Sequence, residues 1–205
     1  MSIAGEIEPV LAGPEEIRRR SILGEALKIF ARFGFQKASM GQVARAAGLS
    51  RQGLYRHFSS KESLFRDSIL FALQTSLAEA AAVLASRDLP LTQRILAALQ
   101  AWVGKHIDEV GENYPELVEA VGLHVEPDRI SDFEARLLRH LVSSLRRGGM
   151  GAVCKERGVT LSQMADTLLA TAIGLRSSCR SSGEFRRRMA IHLKVVLGSP
   201  RTKDS

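Results

Sequence analysis

The segment SMGQVARAAGLSRQGLYRHFSSK, Ser39 to Lys61, carries the strongest structural signal in the chain. It reads as two short helices on either side of Gly48, the arrangement of a helix-turn-helix. Ser39 is a candidate N-cap for the first, which runs to about Ala46. Val43, Ala44 and Ala47 fall on its inner face. The second begins after Ser50 and ends near Phe58, and Leu49 and Leu54 complete a small core with the first. Its other face presents Arg51, Gln52, Gly53, Tyr55, Arg56 and His57. Gly53 is out of place on propensity alone, because glycine costs about 1 kcal/mol inside a helix. Its presence asks for a close approach of backbone to something else.

Working outward, the same helical spacing continues to both sides. Upstream, Ile22, Leu23, Ala26, Leu27, Phe30 and Phe33 mark one face of a helix, and Gly34 stands where a left-handed cap is wanted. Downstream, Ser59-Ser60-Lys61-Glu62 reads as a capping box with Ser59 as cap, opening a long helix to about Ser86. Further helices are predicted over Leu91–Val110, from an Asn113 cap to His124, over Asp128–Arg147, Leu161–Ser178 and Glu184–Leu197. Glu126-Pro127 breaks the pattern, and Gly148 to Gly151 reads as a loop. Residues 1–13 and 198–205 read as loose ends. The fold class is therefore all-α, with about nine helices and no strand alternation.

Length and composition narrow the function. The chain has 205 residues, 45% of them hydrophobic, as in a folded globular protein. Two cysteines, Cys154 and Cys179, are too few for a disulfide scaffold and lack metal-finger spacing. Met1–Gly13 is too acidic for a signal peptide, and no stretch reads as the roughly 20 apolar residues of a membrane span. A cytoplasmic protein with no membrane partner is expected. The net charge of +7 is localised: residues 14–61 hold ten basic and three acidic side chains, and the rest of the chain is neutral in sum. A concentrated excess points to a polyanion; the alternative is a solvated basic face. Arg51, Gln52 and Arg56 suit base edges and phosphates. No metal-binding His/Glu pair, Gly-rich phosphate loop or nucleophile elbow is present, so neither an enzyme nor a cofactor or metal is expected.

These residues resemble the DNA-binding domain of the TetR family of bacterial transcriptional regulators, the tetracycline-repressor-like proteins. The resemblance rests on Ala44, Ala47-Gly48-Leu49-Ser50, Leu54-Tyr55-Arg56-His57-Phe58 and Lys61-Glu62-Ser63-Leu64, with Ile22-Leu23, Ala26, Phe30, Gly34 and Phe35 before them. It covers residues 15–70. It implies a DNA-binding domain over 14–61 and an effector-binding and dimerisation domain over 62–199. It also implies DNA contacts from Ser39, Arg51, Gln52, Gly53, Tyr55, Arg56, His57 and Lys61. Two positions depart: Gly41 stands where a base-reading side chain can occur, and Gly53 where Thr, Ser or Ala is commoner. Other roles stay open. Tyr55 also reads as a packing residue, His57 as a helix C-cap, and Arg18, Arg19 and Arg20 as either phosphate contacts or a solvated face.

For the C-terminal part, the resemblance implies a ligand pocket and a homodimer built on the last two helices. Phe71, Trp102, His106, Tyr114, His124 and Phe133 are the candidate pocket residues, and an apolar or amphipathic effector is expected. Met164, Leu168, Ala172, Leu175, Phe185, Met189, Leu193 and Val196 are the candidate dimer contacts; ordinary intramolecular core is the other reading of that pattern. Cys179, near Arg176 and Arg180, could sense oxidants or be an idle thiol. The expected function is a repressor released from a palindromic operator by a small effector. The competing reading is a helical architectural protein that binds DNA without regard to sequence.

Overall fold

A computed structural model describes residues 13–198, and all of their regular structure is helical. The expectations for 1–13 and 198–205 therefore lie, Gly13 and Gly198 aside, outside the described residues. The helices are α1 (Pro14–Lys37), α2 (Met40–Ala46), α3 (Arg51–His57), α4 (Lys61–Ala85), α5 (Leu91–Trp102), α6 (Ile107–Val110), α7 (Tyr114–His124), α8 (Pro127–Arg147), α9 (Met150–Glu156), α10 (Leu161–Ser178) and α11 (Ser182–Leu197). Single 3-10 turns, Gly104–His106 and Gly111–Asn113, flank α6.

Two apolar clusters hold these helices together. The first gathers Ile22, Phe30, Phe35, Val43, Leu54, Leu64 and Phe65, joined by Leu117 and Ala120 from α7. Phe65 is its hub, meeting Phe30 edge-on at 5.0 Å and Phe35 at 4.9 Å between ring centres. The second gathers Leu84, Ile95, Leu99, Leu137, Leu141, Leu168, Phe185 and Leu193 from α4, α5, α8, α10 and α11. α4 runs through both, since Leu64 and Phe65 serve the first and Leu77, Ala80 and Leu84 the second. Each such fully buried Leu or Phe contributes about 1.5–3 kcal/mol of transfer free energy.

Several expectations need correcting. The helix predicted over Leu91–Val110 breaks after Trp102, because Gly104 presses against α11. A Cβ there would lie 2.7 Å from both the Phe185 ring and the Gln100 side chain. Of the loop expected at 148–151, Gly148 and Gly149 form a turn, and α9 begins at Met150, which is buried together with Cys154. Ser60, not Ser59, caps α4, in a reciprocal box with Ser63. Asn113 does not cap α7 with its side chain; its Nδ2 donates instead to the carbonyls of Ala31 and Arg32, at 2.9 and 3.0 Å. α4 also contains an 18-residue window of mean hydropathy 1.6, long and apolar enough by length and composition to cross a membrane. Its buried residues, 28% of that window, serve the two cores.

The dimer contacts expected on the last two helices are mostly not at the surface. Met164, Leu168, Ala172, Phe185, Met189 and Leu193 are buried within the chain, and Leu175 and Val196 pack at the margin of the same cluster. An apolar stripe at helical spacing marks a face to be covered but not what covers it. Here α5 and α8 do so. The outward apolar side chains of α10 and α11 are Ile173, Ile191 and Val195, which are 41%, 63% and 74% exposed.

Candidate nucleic-acid interface

α2 and α3 meet across Gly48, whose φ of 65° supplies the left-handed residue that the tight turn needs. Both helices start with side-chain caps. Ser39 and Gln42 form a reciprocal capping box on α2, and Ser50 Oγ accepts from Gly53 N at 3.0 Å on α3. Gly53 is buried, and a Cβ there would sit 3.2 Å from that same Ser50 oxygen. The close approach expected at Gly53 is thus met by the cap of its own helix. Leu54 points into the core with no exposure.

The opposite side of α3 is free. Arg51, Gln52, Tyr55 and Arg56 are exposed, and Ser39 and Arg45 of the neighbouring helix are exposed with them. Tyr55 is 41% exposed, so packing does not account for it. The Arg51 guanidinium lies 5.7 Å from its ring centre, which stiffens a pair of long side chains facing solvent. His57 is half-buried, at the C-terminal end of the helix.

Two cations expected at this surface are occupied elsewhere. Lys61 Nζ donates to the carbonyls of Phe35, Gln36 and Ala38, at 3.0, 3.3 and 3.3 Å, and lies 4.5 Å from the Phe35 ring centre. All three ammonium donors thereby satisfy the orphan carbonyls at the end of α1. Arg19 pairs with Asp67 and stacks on Phe58 at 4.5 Å, fastening α1 to α3 and α4. Arg20 pairs with Glu16, while Arg18 is exposed.

A cavity of about 550 Å³ lies behind this unit. Its wall takes residues from α1 (Leu27, Lys28, Ala31), α4 (Ile69, Leu73) and α7 (Leu117, Val121), together with Trp102, His106 and Tyr114. Those last three are among the six expected pocket residues. The others lie elsewhere: Phe71 packs at the margin of the first core, and Phe133 is buried in the second. His124 stacks on Phe35 at 4.7 Å. Burial holds the His106 imidazole below its ordinary pKa, against the opposing pull of Glu109, whose carboxylate is 3.4 Å from Nδ1. Arg176 of α10 also lines this cavity and a neighbouring one of about 730 Å³, which Cys179 and Arg180 share. Sequence reasoning passed over Arg176 as a pocket residue, although it is the sole cation of an otherwise small and apolar helix.

α7 connects the cavity to the reading surface. Glu116 Oε1 accepts from Gln36 N at 2.7 Å. The same carboxylate fills the space beside Gly34, whose φ of 75° and close quarters exclude a side chain. Both cysteines are free and buried, with Cys154 against Met164 and Cys179 beside the Arg188 guanidinium. No group of three or more metal-binding side chains is gathered among the described residues.

Comparison with known proteins bears on this arrangement. Residues 22–67 match the family described as bacterial regulatory proteins, tetR family. The HTH-type transcriptional repressor Rv1474c of Mycobacterium tuberculosis is 39% identical over 71 residues, 35% of each chain. The match with that relative thus spans about a third of its length. The nucleoid occlusion factor SlmA of Klebsiella pneumoniae is 29% identical over 82% of this chain and 86% of its own. The TetR family transcriptional regulator PfmR from Thermus thermophilus shares the fold, with a TM-score of 0.59 at 24% identity, covering 88% of this chain and 98% of that one. None of these names is that of an enzyme. Residues 22–67 thus carry the signature of the tetR family of bacterial regulatory proteins, and the chain shares the fold of a solved TetR-family regulator over most of its length.

Proposed function

We propose that the protein is a dimeric transcriptional repressor, active in the cytoplasm, that reads a palindromic operator with α3 and releases it when a small effector fills the cavity. Residues 14–61 act as the reading head and residues 62–199 as the sensing and dimerising body. The observation that carries this reading is the sidedness of α3. Gly53 and Leu54 are buried while Arg51, Gln52, Tyr55 and Arg56 face solvent. Arg and Gln are the side chains that chelate guanine and adenine edges, and Ser39, Arg45 and Tyr55 suit the flanking phosphates. The concentration of charge in residues 14–61 supports the same polyanion.

Dimerisation supplies the second half-site. Its support is the outer face of α10 and α11, where Ile173, Ile191 and Val195 remain exposed and Gly174 permits close approach. Release is supported by the cavity's wall. α1 and α4, which hold the reading head, contribute to it directly, and α7 joins it to the end of α1 through Glu116 and Asn113. A ligand that favours one placement of α7 shifts the spacing of the two recognition helices by its differential affinity for the two arrangements.

The test is selection of the purified protein on random duplex DNA at near-physiological salt. Enrichment of a palindrome is expected, with log affinity falling about 0.9 per phosphate contact against log salt. Binding without any sequence enrichment would replace this reading with the sequence-blind architectural one.

A further inference from the structure

We propose that the cavity takes an amphipathic anion, its carboxylate held by Arg176 and the Nε2 of His106 and its hydrocarbon tail laid against Leu27, Ile69, Leu73 and Val121. The inference rests on the cavity being the effector site, and deepens that reading by giving the effector a charge.

Two polar groups of the wall lack partners. His106 Nε2 is buried and makes no hydrogen bond. Arg176 makes no hydrogen bond and no ion pair among the described residues, its guanidinium lying instead 4.5 Å over the Tyr114 ring. Burial draws Arg176 below its ordinary pKa, and Tyr114, not a carboxylate, opposes the shift. The two groups are close enough for the charge on Arg176 to depress His106 further, after burial and Lys105. Arg176 is thus a half-buried guanidinium without a counter-ion, and the buried Nε2 of His106, the lone-pair nitrogen of an imidazole whose Nδ1–H faces Glu109, becomes a donor on taking up a proton. An incoming carboxylate satisfies Arg176 with charge-assisted bonds of the fork geometry that arginine favours, and its charge favours uptake of a proton from solvent at Nε2, which then donates to it. The rest of the wall is aliphatic, and the volume lies within the range of small-molecule sites.

The wall also carries carboxylates, and these set the competing ligand as a cation. Glu109 is mostly solvated and turned to His106 Nδ1, and the other cation of the wall, Lys28, is paired with Glu25 at 2.7 Å. Glu134 of α8 is the carboxylate that remains. Of the two aromatic rings in the wall, that of Tyr114 is already covered by Arg176, and Trp102 is 8% exposed. An anion meets Arg176, which has no counter-ion, whereas a cation meets Glu134 with the charge of Arg176 on the same cavity wall to oppose it.

The experiment is titration of the full chain, without DNA, with decanoate, decanol and decyltrimethylammonium below their aggregation concentrations. The readout is the fluorescence of Trp102, the chain's single tryptophan. Decanoate is expected to bind at least tenfold more tightly than the other two. Arg176→Gln should remove that preference while leaving decanol binding and the circular dichroism unchanged. Equal binding of the alcohol, tighter binding of the ammonium, or an undiminished preference for decanoate in Arg176→Gln each overturns the proposal. Should that variant not fold, the ligand series on the unaltered chain decides alone. Because the readout contains no DNA, a lost preference is separable from a failure to select an operator. Decanoate binding that leaves operator affinity unchanged would keep the anion site and overturn its place in regulation.

Discussion

Lys61 and Tyr55 stand six residues apart and divide the labour of the head. Lys61 spends its ammonium on three carbonyls at the end of α1. Lys61→Met is therefore expected to cost about 1–2 kcal/mol, since bonds to charged groups are worth roughly that once partial exposure is discounted. In a chain of this size that lowers the thermal midpoint by roughly 2–8 °C, read by circular dichroism; an unchanged midpoint would return Lys61 to the DNA surface. Tyr55→Ala should do the reverse, weakening operator affinity about tenfold with no change in melting. Gly34→Ala combines a strained φ with a clash against Glu116. Refolding yield and midpoint should both fall, by about 1–3 kcal/mol of stability. Neither Lys61's inward turn nor the Glu116 contact was legible in the sequence. Spacing along one helix carries no information about a partner 80 residues away.

Among the elements, the starts of α2 and α3 and the turn between them were readable because their chemistry is local. Ser39, Ser50 and Gly48 do what their side chains and torsions dictate within three or four residues. What could not be read was any boundary set by packing: the break at Gly104 answers to Phe185, and α9 exists because Met150 and Cys154 have a core to enter. α6 and α11 are joined by a clamp in which Asp108 accepts from both the hydroxyl and the backbone N–H of Ser182. Those bonds, the hydroxyl's first, hold the Asp108 carboxyl below its ordinary pKa. Unfolding raises that pKa, so the unfolded chain binds more protons in this window and stability falls as pH drops through it, at and below about 4. Asp108→Asn should flatten the acid side of a denaturation profile measured against pH; a profile as steep as before would deny the clamp its role.

For the whole molecule, the all-helical class and the reading helix followed from the sequence, whereas the proposed surface between protomers did not. Periodicity marked the apolar stripes of α10 and α11, but their inner halves, Leu168 and Phe185 among them, are consumed within the chain. The outward set Ile173, Ile191 and Val195 is what a second copy can use. Ile191→Glu is expected to shift the sedimentation coefficient from dimer to monomer at micromolar concentration while leaving helicity intact. If the variant sediments as the unaltered protein does, the dimer lies on another face. Operator affinity should fall steeply in the same variant, because two half-sites joined in one particle bind at a high effective concentration that separate monomers lose.

Leu117 and Ala120 close the first core from a helix that lies more than 50 residues beyond the recognition segment. Recombination therefore meets an obstacle here. A chimaera that joins this head at Lys61 to the body of another relative inherits a foreign lid over Phe35 and Phe65, and a foreign residue where Glu116 occupies the hollow beside Gly34. Interchangeable parts in this protein are discontinuous in sequence, and a working graft carries the stretch from Asn113 to Ala120 along with the head.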